Sequence, residues 1–242
     1  MFDKNNDTDK LVAANRILAR EDVVDAFGHV SLRHPDNPSR YVMSRSRSPE
    51  LVEFDDLMEF ELDGEVIDDQ GRVPYGERMI HGAVFEARPE ITAVVHNHSY
   101  EVLPFGITET PMRPMVHVAS VIGKFLPVWD IADKFGDTDM LVRTMEQGRD
   151  LAGTMANNNC MLMRGHGAVV AGRTLEEAVT TAIYLQVNAK ILSAALHHGT
   201  PKGLSDGEIE RSQETQFSPL ALDRAWEYFC ARAGVETAQG QD

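Results

Sequence analysis

Two histidines one residue apart, His96 and His98, close the apolar, β-branched run ITAVVHNH at 91–98. In an extended strand, positions i and i+2 face the same way, so both imidazoles project together. A third imidazole, His166, stands between two glycines in RGHG at 164–167. Two donors from one strand and one from a distant segment are an economical way to build a three-histidine metal centre. Such a centre leaves coordination positions open for a substrate, as a catalytic metal requires. Imidazole suits borderline divalent ions, zinc foremost, with manganese(II) and iron(II) as alternatives. Gly165 and Gly167 would let the backbone turn tightly beside the ion. Each piece alone has a plainer reading: a short H-x-H often marks a wet strand end, and R-G-H-G by itself says little. Together they carry more, because core packing does not explain glycines on both sides of an isolated histidine.

Glu77 precedes His81 by four residues near the start of a helical segment, so the two share a face. A carboxylate beside a metal serves as a ligand or moves a proton to and from the substrate. The alternative is a first-turn glutamate that complements the helix dipole. Arg45 and Arg47, in SRSRS at 44–48, are candidates for bidentate binding of a planar carboxylate. Solvated loop charges are the other reading of that pair.

These side chains need elements to position them. Leu11, Ala14, Ile17 and Leu18 fall at helical spacing within 8–20, and 28–34 and 40–44 read as strands around the turn-like PDNPS. Ser48-Pro49 signals a helix start, followed by extended sequence to a hairpin turn at Asp63-Gly64. Residues 76–88 read as a helix with Met79, Ile80, Ala83 and Val84 on one side. Then come the strand at 91–98, a helix over 138–156, and two short strands in 160–172 broken at His166. Residues 174–199 are the clearest helix, opened by a Thr174–Glu177 capping box and stopped at Gly199. One or two further helices end near Ala233. The alternation predicts an α/β layered domain over 1–199, with 200–242 as its C-terminal helical extension.

Composition narrows the partners. With 38 acidic against 23 basic residues and a net charge of −15, nucleic acid is excluded as the main partner, since phosphate binding needs a basic footprint. A small anionic ligand needs only a few local cations. No apolar run approaches the ~20 residues of a membrane span, and the opening MFDKNNDTDK lacks the apolar stretch of a secretory leader. Only two cysteines occur, Cys160 and Cys230, which suits a reducing compartment. The expectation is a cytoplasmic protein with a small-molecule partner, no nucleic acid and no membrane.

The motifs P-x-x-E-x-x-x-H at 74–81, VVHNH at 94–98 and RGHG at 164–167, in this order and spacing, resemble the class II aldolase/adducin family. The resemblance runs from the first helix to about residue 199. It implies a three-layer αβα domain with a mostly antiparallel central sheet and a homotetramer with active sites at subunit interfaces. It also implies a divalent metal on His96, His98 and His166, with Glu77 as a metal-proximal acid/base. The family's sugar-phosphate aldolases carry Gly-Asn in the first strand, a Thr-Gly loop, and a Ser-Ser pair before the catalytic glutamate. Here those positions read Gly28-His29, SRSRS and Tyr75-Gly76, which speaks against a phosphate cradle and for a carboxylate substrate. This form is similar to the family's decarboxylase branch, whose members act on dihydroxyphthalate and related acids. On that resemblance His29, Arg45 and Arg47 bind the substrate carboxylates. His117, on the segment after the H-x-H strand, donates a proton or holds a carboxylate, a structural role being its alternative. The resulting expectation is a lyase, a metal-dependent decarboxylase of an aromatic or dienoic hydroxy-carboxylate. An aldolase or dehydratase acting on a hydroxy-ketone or sugar-derived substrate is the alternative. A non-catalytic adducin-like interaction protein comes third, because such members lack the metal ligands that this chain retains.

Overall fold

Burial along the strand that carries His96 alternates between two cores, and that alternation sets the layers. The computed structural model describes residues 7–235. The polar opening residues 1–6 and the end of the predicted tail, 236–242, lie outside the described residues. Helix α1 (Asp7–Arg20) buries Leu11, Ala14, Ile17 and Leu18. Strands β1 (His29–Arg33), β2 (Arg40–Ser44) and β3 (Leu57–Glu61) follow, then helix α2 (Arg78–Ala87) and strand β4 (Ala93–Asn97). Helix α3 (Leu103–Gly106), a 3₁₀ segment (His117–Ile122), strand β5 (Val128–Trp129) and helix α4 (Ala132–Phe135) are short. They lead to α5 (Met145–Met155), β6 (Cys160–Met163), β7 (Gly167–Gly172) and α6 (Leu175–His198). Helices α7 (Asp206–Gln216) and α8 (Pro219–Arg232) end the described chain.

The seven strands form one sheet in the order β3-β2-β1-β4-β7-β6-β5. Its neighbours are antiparallel except for the β5–β6 pair at the edge. Successive residues of a strand face opposite sides. In β4, Val95 therefore joins the core built with α1, α6 and α8, while Val94 joins the core built with α2 and α5. The result is the three-layer α/β fold that the resemblance implies. His96 falls on the same side as Val94, toward α2.

The structure departs from the sequence reading in four places. The helix expected over 138–156 begins only at Met145, because Thr144 and Gln147 close a capping box there and Met140 upstream takes a φ of +65°. Residues 138–143 are instead a loop. The Ser48-Pro49 start yields one 3₁₀ turn, Pro49–Leu51. At α6, Thr174 accepts the Glu177 amide, but the Glu177 carboxylate receives the Arg173 amide rather than that of Thr174. Finally, α6 is by length and composition apolar enough to cross a membrane, although no such run stood out in the sequence. Its Leu175, Ala178, Val179, Ala182, Leu185, Ala189 and Leu192 are buried in the α1-side core, the placement of a core helix.

Candidate metal centre and its surroundings

Strand register brings the chemistry-bearing residues to one corner of the sheet. His29 of β1 lies opposite His96 of β4, and Asn97 of β4 lies opposite Ala168 of β7. His98, one residue past β4, returns to the His96 side, and His166 sits in the β6–β7 turn beside it. Two glycines make that approach feasible. Gly165 has a φ of +63°, where a side chain is strained. A Cβ on Gly167 would fall 2.1 Å from the Asn97 carbonyl oxygen and 3.0 Å from His98 Cδ2. The Arg164 guanidinium donates to Asp130 and pins the turn from outside.

The Nε2 atoms of His96 and His98 stand 3.0 Å apart, and those of His98 and His166 3.1 Å apart. Donors each about 2.1 Å from one ion are separated by roughly 3 Å when their bonds meet near a right angle, so the spacing fits a shared metal. Glu77 Oε2 is 3.7 Å from His96 Nε2 and 3.5 Å from His166 Nε2. All four donor atoms fall within 4.8 Å of one another.

The backbone fixes which nitrogen of two rings carries the proton. His96 Nδ1 donates to the Ala168 carbonyl at 3.1 Å, and His166 Nδ1 donates to the Met140 carbonyl at 2.8 Å. A carbonyl only accepts, so in the neutral form of each ring Nε2 has its lone pair toward the cluster, the outer support usual for metal-binding imidazoles. Glu77 Oε1 accepts the Val142 amide at 3.0 Å. The 138–143 loop thus holds both a histidine and the carboxylate.

Charge at the cluster follows from burial and pairing. Burial is the first cause pushing the imidazoles of His96 and His98 down, His96 far below its ordinary value. Burial opposes the charges on Glu77 and His166 as well. Their mutual contact outweighs it, holding the carboxyl below its usual value and raising the imidazole. Neutral imidazoles at His96 and His98 beside an ionised carboxylate suit a divalent cation, whose binding would displace the proton that Glu77 favours on His166.

His29 is 4% exposed, and its ring lies 5.0 Å from that of His96. Its Nδ1 is 2.6 Å from His81 Nε2, and His81 Nδ1 is 2.6 Å from Ser31 Oγ. The Tyr75 ring packs 4.6 Å from His29, and the Tyr75 hydroxyl donates to the Arg47 carbonyl. Arg45 and Arg47 do not stand free. Arg45 Nε donates to Asp56 Oδ1 at 2.6 Å, and Arg47 donates to Asp56 Oδ2 at 2.7 Å. Each uses one of its five N–H groups on this carboxylate. Burial alone would raise the Asp56 carboxyl; the Glu53 amide and the two guanidinium groups hold it below its usual value. Asp56 had no sequence signal beyond lying in the acidic stretch EFDD. His117 is not brought to this corner within the chain. It is exposed at the start of the 3₁₀ segment and lines a hollow with Tyr184, Arg224 and Tyr228, in the layer of α6 and α8.

Residues 9–193 match the family model described as Class II Aldolase and Adducin N-terminal domain. Decarboxylase tropJ from Talaromyces stipitatus is 32% identical over 240 residues, spanning 89% of this chain and 90% of its own. The 3,4-dihydroxyphthalate decarboxylase of Arthrobacter keyseri is 27% identical over 234 residues, spanning 92% of each chain. L-fuculose 1-phosphate aldolase from Glaciozyma antarctica PI12 superposes with a TM-score of 0.76 at 22% identity, over 96% of this chain and 92% of that one, a likeness of fold. Decarboxylases and aldolases both break carbon–carbon bonds and are lyases. On its family match and these relatives, the chain is a lyase and belongs to the class II aldolase and adducin family.

Proposed function

We propose that the protein is a metal-dependent decarboxylase of an aromatic or dienoic hydroxy-carboxylate of the dihydroxyphthalate type. The observation that carries this reading is the convergence of the His96, His98 and His166 Nε2 atoms beside an ionised Glu77, on a chain related to two decarboxylases. The three histidines would hold a divalent ion, zinc first, with manganese(II) and iron(II) as alternatives. Such an ion supplies Lewis-acid stabilisation for negative charge that develops as carbon dioxide leaves. Glu77, anchored through Oε1 at the Val142 amide, keeps Oε2 toward the site; as an ionised carboxylate it would take the proton of the substrate hydroxyl and deliver it to the carbon that has lost its carboxyl group. His29 and the Arg45–Arg47 loop orient the substrate carboxylates, and Asp56 sets where the two guanidinium groups stand. His117, set in the other layer of its own chain, serves the site of a neighbouring subunit in an interfacial homotetramer. A cytoplasmic setting in aromatic-acid breakdown fits this chemistry.

The test is metal analysis of the purified protein, followed by incubation with dihydroxyphthalate-type acids and detection of carbon dioxide. Bound divalent metal and metal-dependent carbon dioxide release support the reading. Turnover of a hydroxy-ketone with no carbon dioxide from a wide acid panel makes the protein an aldolase or dehydratase instead. The absence of any bound or activating metal overturns both.

A further inference from the structure

Four histidine rings crowd this corner, and although the cluster of donor atoms is formed by His96, His98 and His166 with Glu77, ring separation alone does not set His29 apart. The His29 ring is 5.0 Å from that of His96, the same separation as between His96 and His166 and between His98 and His166. What separates His29 from the others is its outer partner. His96 and His166 lean on carbonyls, whereas His29 leans on His81, which accepts or donates according to its own proton.

The far end of that chain decides the matter. His81 is 0% exposed, and burial pushes its imidazole down to about 3. It is therefore neutral, with one N–H and one lone pair. Two arrangements satisfy its 2.6 Å contacts with His29 and Ser31. In the first, the Ser31 hydroxyl donates to His81 Nδ1, and His81 Nε2–H donates to His29 Nδ1. In the second, His29 Nδ1–H donates to His81 Nε2, and His81 Nδ1–H donates to Ser31 Oγ. The second leaves the serine hydrogen without an acceptor, because Ser31 Oγ has no other hydrogen-bond partner among the described residues. Ser31 is itself 0% exposed, out of reach of bulk water. A buried donor left unsatisfied is disfavoured by roughly five- to a hundredfold in equilibrium terms.

We propose that Ser31 and His81 lock His29 in the tautomer that carries its proton on Nε2, so that His29 presents a neutral N–H donor to the site instead of a fourth metal-binding lone pair. The donor set then stays at three imidazoles and Glu77, although a fourth ring stands as near. The N–H is available to a carboxylate or hydroxyl oxygen of the substrate without adding positive charge beside the ion. That use of the donor rests on the decarboxylase reading; the tautomer itself does not. Ser31 and His81 are positioning residues, acting through His29.

Selective ¹⁵N-histidine labelling of the zinc-loaded protein tests this, because long-range proton–nitrogen correlation spectra distinguish Nδ1–H from Nε2–H rings. Signals are assigned with a His29→Asn variant. The wild type is expected to show both His29 and His81 as Nε2–H rings. Ser31→Asp puts an acceptor-only carboxylate in place of the hydroxyl, so His81 carries its proton on Nδ1, its Nε2 accepts, and His29 shifts to the Nδ1–H form. With a hydroxy-carboxylate substrate, the KM of this variant rises roughly two- to tenfold with a smaller change in kcat. A wild-type His29 protonated on Nδ1, or a folded Ser31→Asp protein whose His29 spectrum is identical to the wild type, overturns the proposal. Should the decarboxylase reading alone be wrong, the tautomer shift still appears and no hydroxy-carboxylate is turned over.

Discussion

Replacing Gly167 with alanine tests how closely the histidine-bearing segments must approach. The new Cβ would lie 2.1 Å from the Asn97 carbonyl oxygen and 3.0 Å from His98 Cδ2. Carbon–oxygen contacts settle at roughly 3.3–3.6 Å, so the start of β7 and the end of β4 must separate by roughly 1.2 Å. One obstacle is main chain and the other is the ring of a metal-donor candidate, so neither swings aside freely. Overpacking of this kind costs about 1–3 kcal/mol. For a domain of this length each kcal/mol moves the melting temperature by about 2–4 °C, so a fall of about 2–12 °C is expected. The 3.1 Å spacing between His98 and His166 Nε2 would widen with the strands. Donors that bind an ion at about 2.1 Å cannot absorb such a shift, and metal affinity should fall by roughly ten- to a hundredfold, as when an outer support is lost. Thermal unfolding followed by circular dichroism, together with metal content after dialysis, reads both effects. A variant with the wild-type midpoint and full metal content would refute the claim that this glycine sets the approach.

Three further outcomes follow from the pairing and burial of other groups. Asp56→Asn should cost about 2–3 kcal/mol, less than a fully buried pair because Arg45 and Arg47 are 37% and 28% exposed; an unchanged urea midpoint would mean the arginines hold themselves in place. The folded state holds this carboxyl below its usual value, so its contribution is present above the unfolded pKa of about 3.9 and disappears as pH falls through the folded one. The gap between wild type and variant should accordingly shrink in acid. His81 acts on the same side for a different reason: the folded protein holds its imidazole down at about 3, so the unfolded chain binds the extra proton. Stability should fall by about 2 kcal/mol from His81 alone between about pH 7 and about pH 5, and an equal pH slope in His81→Gln would contradict this. Arg45→Ala should raise KM for a hydroxy-carboxylate by roughly ten- to a hundredfold with metal content unchanged; unaltered kinetics would remove Arg45 from substrate contact.

Legibility in the sequence tracked how each feature is encoded. Long elements announce themselves by period, and α1, β1, β2, α2, β4 and α6 fall where their apolar spacing puts them. Glu77, His96, His98 and His166, chosen by residue type and spacing, meet in one cluster. The supports of that cluster were invisible because Met140 and Val142 contribute a carbonyl and an amide, which every non-proline residue has. Asp56 escaped notice because its pairing with Arg45 and Arg47 depends on how a loop folds back. Helical spacing puts His81 on the face of Glu77, but its contact with Ser31 joins a helix to a strand and has no local signature. The position of His117 was equally hidden, since residue order after β4 does not say which face of the sheet the chain crosses next.

The loop at 138–143 gears two chemically different groups to one piece of backbone. Its Met140 carbonyl orients a histidine, and two residues later its Val142 amide holds the carboxylate. The ties themselves do not depend on side-chain identity, so they tolerate sequence drift as far as packing allows. A single-residue insertion or deletion between them would change the spacing of the two ties, so the carbonyl and the amide could no longer both meet their partners. Either loss reaches the same cluster, through the orientation of His166 or through the carboxylate of Glu77.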